Sequence, residues 1–428
     1  MFSSNRLPAL VLTGLAVVLV GTLPQAALAA KKQEAEQPAD TRDFSKEFRK
    51  NAGPVQKDVE AKKWPEVLAG IEKLEALPEL TTDDRKVILN WKLAAQQGTG
   101  DKAGLMATIE EFLAGGFASP QQVGPMNQQL AAWYNSQKDM PKTLLHYRAF
   151  IDATADPTPD ELETMGRLYL QTGNDREGVA WLNKAIAATK AAGAKPKELW
   201  FQLMDRSYVE LNDTEGRLQN LEALTMEYPK TEYYSRILAI YSQGSQDDRT
   251  VMLNAYRLAF TDVGLGTVGE YLGYADVALV AGSPGEALRA MDRGMQDGVV
   301  PSVGTNQQTL QEAKTAVARD KKDLPSDAAS AAKNAKGEVD VKVGLGYYSQ
   351  GDWDKTVEAV QRGLAKGGVK RADDANMLLG ASLVQLGKYA EAKAAFAAAA
   401  ASTDMYMKHI AGMWSALADR RAAGAGTG

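Results

Sequence analysis

The chain has 428 residues, enough for two or three domains, and its 45% apolar share suffices for a large core. Lysine plus arginine number 49 against 54 aspartates and glutamates, interspersed along the chain; the net charge of -5 excludes a broad basic face for nucleic acid. There is no cysteine, and the two histidines, His146 and His409, lie far apart, so disulfide, thiol, iron–sulfur and zinc-finger chemistries are excluded and neither a metal nor a cofactor is expected.

Residues 1–29 read as an export signal. Arg6 supplies the positive charge, residues 9–20 the apolar stretch, Pro24 the break, and Ala27-Leu28-Ala29 the small-residue pattern of a cleavage site near Ala29. The apolar run is shorter than the ~20 residues a spanning helix needs, so no stable membrane anchor is expected after cleavage. The expected location of the mature chain is the bacterial periplasm. Residues 30–43 are polar, contain Pro38 and read as a disordered lead-in.

From Phe44 onward the pattern is helical and repeats. The segments "TMGRLYLQTGNDREGVAWLNKAI" (164–186), "VGLGYYSQGDWDKTVEAVQRGL" (343–364) and "LLGASLVQLGKYAEAKAAFAAA" (378–399) share one plan: a first helix, a turn carrying glycine, a second helix. Turns are predicted at Lys62, Gly100, Lys138, Gly173, Asn212, Ser245, Gly282, Asp320, Gly351 and Gly387, roughly 31–39 residues apart. Within the last unit Ala392, Phe396 and Ala399 share one helix face by their steps of four and three, and Gly178, Leu182 and Ala185 repeat that spacing. Small residues on such a face let two helices approach, which explains a glycine at position 380 despite its helix penalty of about 1 kcal/mol.

This period and these residues resemble the tetratricopeptide repeat family: Met165-Gly166 with Tyr169, and Leu379-Gly380, match its first-helix pattern, while the small–large–small triplets match its second. The resemblance implies an all-α solenoid of helix-turn-helix units, a right-handed superhelix of about ten helix pairs with a C-terminal capping helix. The expected organisation is an N-terminal array over 44–318, a degenerate repeat or exposed joint over 319–338 around Pro325, a C-terminal repeat pair over 339–402, a capping helix over 403–421 and a disordered tail over 422–428.

No constellation for catalysis emerges. "GLGTVG" (264–269) has the letters of a dinucleotide fingerprint but follows a helical stretch rather than a strand, and reads as a loop between repeats. In "AGSPG" (281–285) Ser283 reads as a helix cap rather than a nucleophile. The pairs Glu110-Glu111, Asp247-Asp248 and Asp373-Asp374 read as helix-start or solvated carboxylates.

A solenoid of this family offers a concave wall made of first helices, and in the family that groove binds peptides or protein segments. First-helix positions off the packing seam project Asn90, Gln97, Gln128, Asn135, Arg167, Gln171, Gln202, Arg206, Ser235 and Ser242 onto it. Amides pair with a peptide backbone and arginine forks onto carboxylates, which suits a protein or peptide partner. The lysine–asparagine clamp of some chaperone-binding members is not reproduced. Residues 365–400 and 228–243 also look like exported tetratricopeptide proteins associated with TonB-type energy transducers, which would imply an accessory role in energised uptake. The expected function is a non-enzymatic exported scaffold; the alternatives are a peptide-binding chaperone or assembly factor for envelope proteins, and an enzyme with a carboxylate site of unrecognised form.

Overall fold

A computed structural model describes residues 42–244 and 248–425. The export signal, most of the lead-in, the predicted turn at Ser245, Asp247 and the last three residues of the tail lie outside the described residues. The chain divides into two compact units, Met1–Ala194 and Lys195–Gly428.

Every regular element among the described residues is an α-helix. The first unit holds α1 (Lys46–Glu60), α2 (Trp64–Glu75), α3 (Thr82–Thr99), α4 (Lys102–Ala114), α5 (Pro120–Ser136), α6 (Met140–Asp152), α7 (Pro159–Gln171) and α8 (Asp175–Ala191). The second holds α9 (Glu198–Glu210), α10 (Thr214–Glu227), α11 (Thr231–Gly244), α12 (Arg249–Asp262), α13 (Val268–Val280), α14 (Pro284–Gln296) and α15 (Gly304–Lys333). It continues with α16 (Gly337–Gln350), α17 (Trp353–Lys366), α18 (Ala372–Gln385), α19 (Tyr389–Ala399) and α20 (Met405–Ala425). Apart from α15 and α20 they pair consecutively as hairpins, so the fold is all-α and of the tetratricopeptide type.

Local chemistry sets where these helices begin and turn. Capping boxes, Thr81 with Asp84, Ser119 with Gln122, Thr158 with Glu161 and Thr267 with Glu270, open the first helices α3, α5, α7 and α13. Aspartate caps open second helices: Asp101, Asp139, Asp213 and Asp352 each accept a hydrogen bond from the backbone three residues on. Between them, eight of the ten predicted turn residues adopt a left-handed backbone, five as glycine and three, Lys62, Lys138 and Asn212, without it.

The hairpins close through missing side chains. A Cβ on Gly380 would lie 2.7 Å from Phe396 Cδ1. One on Gly166 would lie 2.9 Å from Leu182 Cγ, and one on Gly344 2.5 Å from Val360 Cγ2. In each case the partner is sixteen residues on (166 to 182, 344 to 360, 380 to 396), so three hairpins share one register. The same register places buried Ala131 sixteen before buried Tyr147, and Ala275 sixteen before Met291. Small against large at a fixed offset is the packing rule the repeat spacing predicted.

Two expectations are corrected. There is no turn at Asp320: α15 runs unbroken from 304 to 333, so residues 319–338, read as a degenerate repeat or an exposed helical joint, are the second half of one long helix and the start of α16. Leu324 and Ala331 anchor it, Leu324 sitting where a Cβ on Gly346 would come within 2.7 Å. Pro325 removes one intrahelical hydrogen bond on the exposed side, where water can satisfy the Lys321 carbonyl. Secondly, α20 does more than cover α19, and it continues to Ala425, into the stretch expected to be disordered.

The second face of α20 packs on α10 and α12, so the second unit closes on itself. Tyr406 stands edge-on to Tyr241 and against Gly244, Arg420 pairs with Asp262, and Arg421 Nη2 donates to the Thr261 carbonyl at 2.6 Å. His409 Nδ1 lies 2.6 Å from Glu222 and its Nε2 3.1 Å from Glu215, both on α10. Beside this seam Arg371, just before α18, pairs with Asp248 at 3.0 Å, and Asn254 of α12 donates to Asp374 at 2.8 Å.

The Glu222 carboxylate, acting against burial and with help from Glu215, pushes the His409 imidazole up to about 9. An unfolded histidine titrates near 6.5. The stabilisation is therefore fully present below about pH 6.5 and is lost as pH rises through about 9. Thermal melts from pH 7 to 9.5 should show a stability loss of about 1–3 kcal/mol that is absent in His409→Gln. A flat profile in the natural chain would contradict the contact.

Candidate functional site

The most enclosed chemistry lies in the second unit, where α12, α13, α14 and α16 meet. Arg257 (2% exposed) and Glu286 (0%) form a two-pronged ion pair, Nε to Oε2 at 2.8 Å and Nη2 to Oε1 at 2.7 Å. Tyr274 donates to Glu286 at 2.7 Å, Ser283 donates at 2.6 Å, and Arg257 Nη1 reaches Asn254 at 3.2 Å. Burial alone would raise the Glu286 carboxyl, but Arg257 overrides it and holds Glu286 below the usual carboxylate range. The pair is buried and fully bonded, and so orders the four helices around it.

Arg257 forms part of the lining of a cleft of about 350 Å³ between α12, α13, α16 and α18. Leu253, Val277, Leu345 and Leu378 give it apolar walls, one from each helix. Val280, at the end of α13, is left 58% exposed on its border. Arg249, Lys342 and Arg371 bring three cations to it, Asp374 and Glu338 two acids. Burial pushes the Asp374 carboxyl up, opposed by Arg257 and the Asn254 hydrogen bond. Lys342 also borders a second cleft lined on the α15 side by Asp320, Asp323 and Asp327.

The ten residues projected from the sequence fall two per helix on α3, α5, α7, α9 and α11, six in the first unit and four in the second. Gln97, Gln171, Arg206 and Ser242 are exposed and the other six half-buried. Several are turned to local bonding: Asn90 donates to the Lys86 carbonyl, Ser235 to Thr231 and Ser242 to Ala239, all within their own helices. Gln202 donates to the Tyr233 hydroxyl at 2.9 Å, and Arg167 lies 3.6 Å from Glu163 one turn back. Arg167 belongs to the first unit and Arg206 to the second.

The remaining motifs resolve into structure. In "GLGTVG" the Gly266 and Thr267 amides donate to Glu270, whose carboxylate occupies the place a phosphate would need. Ser283 begins α14 but does not cap it; its hydroxyl donates to Glu286 instead. The acidic pairs are less solvated than expected. Glu110 accepts from Tyr134 at 2.6 Å and lies near Lys142 and His146, Asp373 accepts from Arg371 and Ser402, and Asp374 is turned to Asn254. Sequence reasoning missed the cleft, because Arg249, Lys342 and Arg371 are far apart in the chain and meet only where the second unit closes.

No family model matches the chain, and no curated protein matches it. Among solved structures it is similar to the TPR2AB-domain:pHSP90 complex of yeast Sti1, with 10% identity, 68% of this chain and 97% of that one covered, and a TM-score of 0.23. It is also similar to a tetratricopeptide repeat protein from Parabacteroides merdae (10% identity, 77% and 98% covered, TM-score 0.24). A Rap protein complexed with competence and sporulation factor gives 11% identity, 88% and 97% covered, and a TM-score of 0.23. Likeness at this level carries no argument about site or partner; the hairpin type rests on the Gly166, Gly344 and Gly380 contacts.

Removing one partner of the buried pair leaves an uncompensated charge. Arg257→Met or Glu286→Leu alone should each destabilise the second unit by about 3–5 kcal/mol, and the two together by clearly less than the sum. Urea unfolding of the four proteins measures this, and additive losses would contradict the pairing.

Proposed function

We propose that this chain is a non-enzymatic binding scaffold, exported to the bacterial periplasm, that holds protein segments on the first-helix faces of its hairpins. The observation that carries the reading is the construction of those helices. Four of them, α3, α5, α7 and α13, open on capping boxes, three hairpins are closed by a glycine seam, and the first helices carry polar side chains off that seam. Gln97, Gln171 and Arg206 are exposed on such helices, where an amide or guanidinium meets a partner's backbone or carboxylate without the helix having to rearrange. Export rests on the pattern of residues 1–29, and an accessory role beside a TonB-type uptake system rests on the resemblance of residues 228–243 and 365–400.

The reading is tested by placing a photo-crosslinking amino acid at Gln97 or Gln171, with Glu177 on the second helix α8 as control, and irradiating intact cells. Crosslinks from the two first-helix positions to one or a few envelope proteins, and none from 177, are expected. Equal crosslinking from all three, or products found only in the cytoplasm, would contradict it.

A further inference from the structure

We propose that the cleft between α12, α13, α16 and α18 binds a small amphipathic organic anion, a monocarboxylate with an aliphatic body. This goes beyond the scaffold reading, since it concerns a different site and a different class of ligand. Four helices each contribute an aliphatic wall, Leu253, Val277, Leu345 and Leu378, to a space of about 350 Å³, the size of a small-molecule site. The clasp of Arg371 with Asp248 and Asn254 with Asp374 bounds it where α12 meets α18, so it is a compartment more than a through-groove for an extended chain. Val280 remains exposed beside it, an apolar side chain that a bound hydrocarbon would cover.

The charges decide the sign of the ligand. The two acids of the lining are already engaged: Asp374 accepts from Asn254 and lies in the field of Arg257, and Glu338 accepts from the Lys370 amide. Arg371 is likewise taken by Asp248 and Asp373. Arg249, at the first position of α12, has no carboxylate partner among the described residues, and Lys342 has none in direct contact although it borders the acidic face of α15. Two cations therefore border an apolar space without a carboxylate in direct contact among the described residues. A carboxylate pairs with them while its chain enters the walls.

The test is calorimetric titration of octanoate into the purified full chain, with acetate and octylammonium as comparisons. Octanoate should bind saturably at one site per chain, acetate and octylammonium without measurable heat. Arg249→Glu with Lys342→Glu should weaken octanoate by about tenfold or more. Val280→Trp, which fills the space from an exposed position, should abolish binding with the melting temperature unchanged, and Gln171→Ala in the first unit should bind as the natural chain does. Absence of saturable heat from octanoate would overturn the proposal. So would octylammonium binding as tightly, indifference to both the charge reversal and Val280→Trp, or displacement of octanoate by an acidic peptide at lower concentration.

Discussion

Two helices of a hairpin can approach closely only where one surface is cut back to its backbone and the other fills the gap. In this chain that condition is met by Gly166 against Leu182, Gly344 against Val360 and Gly380 against Phe396, each pair sixteen residues apart. The fixed offset sets more than the contact. It determines how long the turn can be, which places the left-handed residues at Gly173, Gly351 and Gly387, and it determines which side chains of the first helix point away from the seam. The packing of the hairpin and the surface it offers are thus consequences of the same absent side chains.

The second unit adds a constraint of another kind. Its hairpins are joined by apolar register like those of the first, but its closure adds ionic contacts: His409 with Glu222 and Glu215, Arg420 with Asp262, Arg371 with Asp248. Apolar seams tolerate change of pH and salt, whereas a half-buried imidazole between two carboxylates does not. The buried Arg257–Glu286 pair sits between these regimes, too enclosed to exchange with water and bonded at every side to α12, α13, α14 or their turns. Its service is to fix one arrangement of helices, and the cleft exists because that arrangement leaves Leu253 and Val277 facing Leu345 and Leu378 across a gap.

Much of the hairpin architecture was legible in the residues, and the reason is locality. Turn chemistry acts over a few positions and the glycine seam over sixteen, so Gly173, Asn212 and Gly387 announce themselves, as do Gly166 and Gly380. Position 320 misled because a proline and a run of small polar residues look like a break; what holds α15 together there is the pair Leu324 and Ala331 against α16, which no local pattern reveals. Closure was illegible for the same reason. His409 and Glu215 are 194 residues apart, Arg371 and Asp248 123, and ionic pairs at such distances have no periodicity to read. The projected binding row was placed on the expected helices, but the sequence gives no sign that Asn90, Ser235 and Ser242 bond to their own helices.

The most direct test of the glycine seam is a double-mutant cycle between Gly380 and Phe396, read by urea unfolding. Gly380→Val in the natural chain should cost about 1–3 kcal/mol through overpacking, and Phe396→Ala about 3–5 kcal/mol. With alanine already at 396 the valine should cost close to nothing, a coupling of roughly 1 kcal/mol or more. Equal cost of Gly380→Val in both backgrounds would show that the glycine is not there to admit the ring, and the account of how these hairpins close would fail with it.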